Sequence, residues 1–350
     1  MNANPQPCRT ADSLRIALAG AVGSSERLLA ALIRHRANVV GVLGLQASAR
    51  ERTSGYRRLD TVADGAGIPY VDFEQINATE TLHVIRHWKP DLLFVVGLSQ
   101  MVRGELLNVP RMGCVGFHPT CLPEGRGRAP LVWMSLEGRS GAATFFLMNE
   151  GVDAGPILVQ EPFHVTPNDD AQAIWDKLEA AIDRALDRWL PRLLNGEWNP
   201  VPQDDSRATY YGRRAPADGL IEWDRPSRSV LSLIRSVSRP YPGAYTYFRN
   251  QKIVIWRAAA ADTLRWRGVP GRLLLRDPER GWLVATGDGA LWLEELEVIS
   301  SVPGGDLDQL LQVGARLGYT VPEEIFRLRR QVAELEARLG ALEANNRSPE

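Results

Sequence analysis

Three short apolar runs, each separated from the next by helical or polar segments, constrain this chain more than any other feature. Leu14–Gly20 (LRIALAG), Asn38–Leu45 (NVVGVLGL) and Asp91–Val96 (DLLFVV) read as buried strands. Between the first two, Ser24 and Ser25 stand where a helix is capped, and Leu28, Leu29, Leu32 and Ile33 recur at helical spacing. A strand–helix–strand unit of this kind closes as a right-handed crossover in a parallel sheet. Short helices are expected over 59–66 and 79–88, the second stopped before Pro90, with a polar loop over 51–58. Strands follow at 114–117, 142–148 and 157–162. A long helix over 169–195 carries Ile174, Leu178, Ala181, Ile182, Ala185, Leu186 and Trp189 as its apolar stripe, with Gly196 past its last turn. The alternation predicts an α/β, Rossmann-like parallel-sheet domain over 14–200, after a lead-in of residues 1–13.

At 350 residues the chain has room for a second domain. Residues 201–217 are polar and Pro-rich and read as a linker. Residues 218–305 hold short runs at roughly ten-residue spacing between Gly-rich turns, which predicts a small β-rich, OB-like domain. Ile325, Leu328, Val332, Leu335, Leu339 and Leu342 step alternately by three and four, the seam of a coiled-coil helix over 320–346. β-branched residues at two alternate seam positions favour a two-stranded parallel pairing, hence a homodimer.

Charge is nearly balanced, 41 basic against 42 acidic residues, and only three of the basic ones are Lys. That argues against a nucleic-acid partner bound through a broad basic face. Cys8, Cys114 and Cys121 form no CxxC pair, and His35, His83, His87 and His164 show no metal-site spacing, so no metal is expected. No apolar run reaches about 18 residues, and Met1–Ser13 lacks the apolar core of a signal peptide. The expectation is a cytoplasmic protein without membrane contact. Gly20-Ala21-Val22-Gly23 follows the first strand, but G-x-G-x-x-G is absent and no acidic residue ends the second strand, which disfavours a dinucleotide oxidoreductase.

The densest candidate cluster runs from Gly116 to Pro130. His118 closes a buried strand, where α/β sheets place their ligands, and histidine has the side chain best suited to proton transfer near neutrality. Asp153 lies in the turn Gly151-Val152-Asp153-Ala154-Gly155, from which a carboxylate can enter a cleft. Arg126 and Arg128 follow the histidine; Arg213 and Arg214 stand near the domain boundary. All four are candidates for a phosphate or carboxylate.

In order and spacing, Leu107–Cys114, the His-Pro-x-x-Leu-Pro-x-x-Arg-Gly loop from His118 to Gly127, Gly141–Thr144 and Gly151–Gly155 resemble the 10-formyltetrahydrofolate-dependent formyltransferases. The resemblance covers roughly residues 14–300. Tyr211–Trp223, and the stretch from Arg235 through Pro240–Ala244 to Asn250–Lys252, are most similar to the formyltransferases of nucleotide-linked amino sugars.

The resemblance implies an N-formyltransferase with 10-formyltetrahydrofolate as co-substrate and the primary amine of an amino-sugar nucleotide as acceptor. It implies an Asn–His–Asp site in which the Asn and a protonated His stabilise an oxyanion. His118 and Asp153 match; the Asn position holds Gly116, and Ser99, Gln100, Thr120 or a backbone N–H is expected to compensate. By position, Leu98, Ser99, Gln100, Val152 and Asp153 are implied in the pteridine pocket. Two alternatives stay open: methionyl-tRNA formyltransferase, and a divergent folate-dependent hydrolase or acyltransferase.

Overall fold

The computed structural model describes residues 14–53, 55–249, 251–261, 265–299, 310–318 and 321–346. The expected lead-in 1–13 lies outside them. The chain divides into two compact units, one of residues 1–218 and 235–242, the other of 219–234 and 243–350.

The first unit runs β1 (Arg15–Gly20), α1 (Gly23–Arg34), β2 (Asn38–Leu45), α2 (Asp60–Gly65), β3 (Tyr70–Phe73), α3 (Thr79–Trp88) and β4 (Leu92–Val96). It continues through α4 (Glu105–Asn108), β5 (Cys114–His118), β6 (Arg126–Gly127), α5 (Pro130–Glu137), β7 (Gly141–Leu147), β8 (Ile157–Phe163), α6 (Ala171–Leu194) and β9 (Tyr210–Tyr211). Its main sheet has the order β3-β2-β1-β4-β5-β7-β8. β3 through β5 pair in parallel, whereas β7 is antiparallel to both β5 and β8, so the expected parallel sheet is a mixed one. The strand order reverses between β1 and β4, the place where open α/β sheets leave a crevice.

The helix after β1 is not capped by its serines in the expected sense. Val22 is its N-cap, and the Ser25 hydroxyl instead accepts from the Ala21 and Val22 N–H groups and donates to the Val96 carbonyl at 2.6 Å. That bond staples α1 to the end of β4. α6 is capped by Asp170, which accepts from the Ala173 N–H. Its buried stripe, from Ile174 through Leu194, packs with α1 against the sheet. Arg27 bridges Glu179 and Asp183 one α6 turn apart, both at 2.6 Å.

The segment read as a linker is part of this unit. Val201 pairs with Ile157, β9 pairs with β6, and Gln203 and Asp205 hold Arg126. Its polarity reflects hydrogen bonding to the domain beneath it.

The second unit contains β10 (Ala244–Phe248), β11 (Gln251–Ala260), β12 (Leu273–Asp277), β13 (Gly281–Ala285) and β14 (Ala290–Ile299), an antiparallel sheet of order β10-β11-β14-β13-β12; α7 (Ser227–Ser236) precedes β10. Trp223 belongs to its core, donating from its indole N–H to Thr246 Oγ1 at 2.9 Å. α8 (Val321–Asn346) is one long helix whose seam residues are 44–63% exposed. Among the described residues no helix is long and apolar enough to cross a membrane.

Candidate active site

Alternation along β5 decides what its residues face. Cys114 lies in the apolar layer that also holds Ile85 and Trp88 of α3, while Val115 and Phe117 pack with the α6 layer. Gly116 and His118 therefore share the α3 face with Cys114. Pro119 then breaks the ladder, leaving His118 at the carboxyl end of the strand. The β4–β5 register pairs Val95 with Gly116, so two residues on, Gly97 stands level with His118.

Asp153 reaches the same place from the β7–β8 turn. It adopts φ +49°, a left-handed conformation that Asp tolerates better than most residues. Gly155 permits the turn, because a Cβ there would strike the Leu147 carbonyl oxygen at 1.6 Å. Gln203 fixes it from outside, donating through Nε2 to the carbonyls of Asp153 (2.8 Å) and Gly155 (2.7 Å).

His118 Nδ1 lies 3.5 Å from Asp153 Oδ2, and that oxygen accepts from the Gly127 N–H at 2.9 Å. His118 Nε2 donates to the Gly125 carbonyl at 2.8 Å. The ring is only 5% exposed. Burial pushes the imidazole below its ordinary pKa, and the Asp153 carboxylate and the Gly125 carbonyl pull it part of the way back. At rest the ring is thus neutral near pH 7. A proton gained during a reaction would meet an acceptor on each side.

Gly116 has no room for a side chain. A Cβ there would meet the Phe146 ring at 2.8 and 3.0 Å and Met148 Cγ at 3.1 Å. Gln100, a candidate to fill in for it, is held elsewhere: its Oε1 accepts from the Ile76 N–H and its Nε2 donates to the Glu74 carbonyl, both at 2.7 Å. Ser99 is exposed. Thr120 is buried with its hydroxyl unpartnered among the described residues.

On the same edge of the sheet, a cleft of about 200 Å³ is lined by Gly97, Leu98, Ser99 and Gln100 after β4. Gln46, Ser48 and Thr53 after β2, and Glu74 and Gln75 after β3, complete it. Amides, hydroxyls and an apolar Leu98 suit a heteroaromatic ring with hydrogen-bonding edges. Val152 is 45% exposed on the Asp153 turn.

The four arginines separate. Arg126 is buried, with Gln203 (2.8 Å), Asp205 (2.7 Å) and the Tyr210 hydroxyl (3.0 Å) around its guanidinium, so it is not presented to a ligand. Arg214 lies over the Trp133 ring at 5.1 Å and donates to the Asp218 carbonyl. Arg128 and Arg213 are exposed, with no side-chain partner among the described residues. The sequence reading missed the positioning groups: Gly125, Gly127 and Gln203 act through backbone placement or from 50 residues away.

Family models for "Formyl transferase" and "Formyl transferase, C-terminal domain" match residues 20–190 and 214–301. The chain is 32% identical over 263 residues to a methionyl-tRNA formyltransferase of Geobacter metallireducens, covering 74% of this chain and 83% of that one. Its fold is similar to that of HypX from Aquifex aeolicus, solved with tetrahydrofolic acid (TM-score 0.56, 17% identity, 82% of this chain). This chain spans only 44% of HypX. It is similar too to an N-formyltransferase of Helicobacter canadensis solved with folinic acid and dTDP-3-aminofucose (TM-score 0.60, 14% identity, 80% of this chain and 99% of that one). With both family models matched in order and a relative at this identity along most of its length, the chain belongs to the formyl transferase family.

Proposed function

We propose that this enzyme transfers a formyl group from 10-formyltetrahydrofolate to the primary amine of an amino-sugar nucleotide, with His118 and Asp153 as the reacting pair. One observation carries the reading: buried His118 lies 3.5 Å from the half-buried Asp153 on the sheet edge that also holds the cleft after β4. 10-Formyltetrahydrofolate supplies the activated formyl carbon, and Leu98, Ser99, Gln100 and Val152 would hold its ring.

Neutral His118 takes the proton released when the acceptor amine bonds to the formyl carbon. As imidazolium it is steadied by Asp153, opposes the negative charge on the formyl oxygen, and returns the proton to the departing nitrogen. The Gly125 carbonyl orients the neutral ring, and Asp153, fixed by the Gly127 N–H, becomes its partner once the ring is charged. Of the four candidate arginines, Arg128 and Arg213, which have no side-chain partner among the described residues, are suited to the acceptor's phosphates or the donor's glutamate. Separately, the exposed apolar stripe of α8 supports a homodimer joined through that helix.

A second reading, formylation of methionyl-tRNA, is favoured by the Geobacter metallireducens relative. The near-zero net charge, with three Lys, speaks against a polyanion surface.

The test is tetrahydrofolate release from 10-formyltetrahydrofolate with a panel of nucleotide amino sugars, with methionyl-tRNA, and with no acceptor. Release that depends on an amino-sugar nucleotide is expected. Release with methionyl-tRNA alone moves the assignment to the second reading, and release indifferent to any acceptor overturns both.

A further inference from the structure

The wall over Gly116, next to His118 on the same strand face, is apolar, and that bears on what else can react there. Gly116 pairs directly with Phe146, and His118 with Thr144, across the antiparallel β5–β7 ladder. Directly opposed residues share a face, so Phe146 is the diagonal neighbour of His118, at a separation aromatic side chains bridge. Its ring occupies the space over Gly116, together with Met148, and is 2% exposed. The polar group opposite the histidine is engaged: the Thr144 hydroxyl donates to the Thr120 carbonyl at 2.7 Å and accepts from Gln160 at 3.1 Å. Among the described residues, the space over Gly116 is bounded by Phe146 and Met148, which offer no partner to a water molecule; the unpartnered Thr120 hydroxyl follows the strand end. An ordered water needs two to four polar partners, and a ring edge offers none.

We propose that Phe146, folded over Gly116, keeps water away from the formyl carbon and so sets the partition between transfer and hydrolysis. The inference rests on the transfer reading above. The suppressed side reaction is simple. A water oxygen bonds to the formyl carbon, the bond from that carbon to the folate nitrogen breaks, the nitrogen takes a proton, and formate and tetrahydrofolate leave. An amine is the better nucleophile when present, but His118 could serve water as a base too, so with donor bound and no acceptor the loss to hydrolysis depends on whether water reaches the formyl carbon. A formyltransferase with a donor bound and no acceptor present needs such a barrier.

The experiment compares wild type, Phe146→Ala and Phe146→Leu in the full chain. Acceptor-independent formate release from 10-formyltetrahydrofolate is measured beside binding of 5-formyltetrahydrofolate. The same rate is then measured with the amine acceptor found in the panel. The fraction of donor lost to water is a ratio, so it does not change when part of a preparation is unfolded. Phe146→Ala is expected to raise that fraction at least about tenfold, and Phe146→Leu, which refills most of the space, to stay within about threefold of wild type. An unchanged fraction in Phe146→Ala, with the analogue still bound, overturns the proposal. So does an equal rise in both variants, which would mark general loosening. Failure of the parent reading looks different: wild type then gives no acceptor-dependent turnover, and His118→Ala leaves formate release unaltered.

Discussion

His118 carries a conflict between burial and charge, and that conflict has a sign. Burial lowers its pKa from the ordinary value, and Asp153 raises it again. As pH falls through the lowered pKa, the ring becomes protonated before substrate arrives and can no longer accept the amine proton. The acidic limb of kcat/KM should therefore fall below the pH expected of a free histidine, about 6.5. Asp153→Asn removes the carboxylate that favours imidazolium. The limb should then move further toward acid, while the rate drops by about 100-fold or more because the protonated intermediate loses its partner. A pH–rate profile of wild type and variant decides it; a limb that stays in place, or moves toward neutrality, contradicts the pairing. Gly116 lies on the same strand two residues before His118. Its missing side chain is plain in the sequence, but the ring above it is not, since Phe146 lies 30 positions away and only the β5–β7 register brings it there.

Elements differ in how far local composition specifies them. β1, β2 and β4 are buried on both faces, so each is a near-continuous apolar run that announces itself. α6 is legible from its stripe and from Asp170 before it. β3, four residues at the sheet edge, and the two-residue β6 and β9 carry no such signal, because their pairing is a product of the tertiary fold. The strap of residues 201–211 was hidden for the same reason. Its polar residues look solvated until their partners are known, and Arg126, ordinarily a surface residue type, is buried beneath them. This strap reaches the chemistry through Gln203, which ties down the turn that presents Asp153. Gln203→Ala should lower kcat by about tenfold while leaving KM for the donor nearly unchanged, since displacing a reacting group by a fraction of an ångström costs on that order. Gln203→Glu keeps the length but loses the donor, and should resemble Ala. Steady-state kinetics with a thermal melt separates this from unfolding: a loss of stability without a change in kcat would make the strap structural only.

At the scale of the whole molecule, α8 stands outside both family domains, which end at residue 301, and it offers an apolar seam to solvent. Ile325, Val332 and Leu339 alternate with Leu328, Leu335 and Leu342 along a helix that spans about 39 Å at 1.5 Å per residue. Six large apolar side chains in one line, each 44–63% exposed, form a contiguous stripe rather than scattered surface residues, which is the basis for the proposed homodimer. With Ile325 and Val332 at the a positions, Glu324 falls at g and Arg329 at the next e. A parallel, in-register pair of helices therefore sets Glu324 of one copy opposite Arg329 of the other. β-branched a residues with leucine at d favour two strands. Three heptads are marginal in isolation, so the helix should strengthen an association rather than create a very tight one. Removing residues 322–350 should raise the dimer dissociation constant by at least about tenfold, or roughly 1.4 kcal/mol, with turnover per subunit preserved. Leu335→Glu in the full chain should do the same by placing a charge in the seam, without shortening the protein. Sedimentation equilibrium of the three proteins over a common concentration range is decisive: equal association in all of them, or a monomeric wild type, leaves α8 without a second copy as its partner.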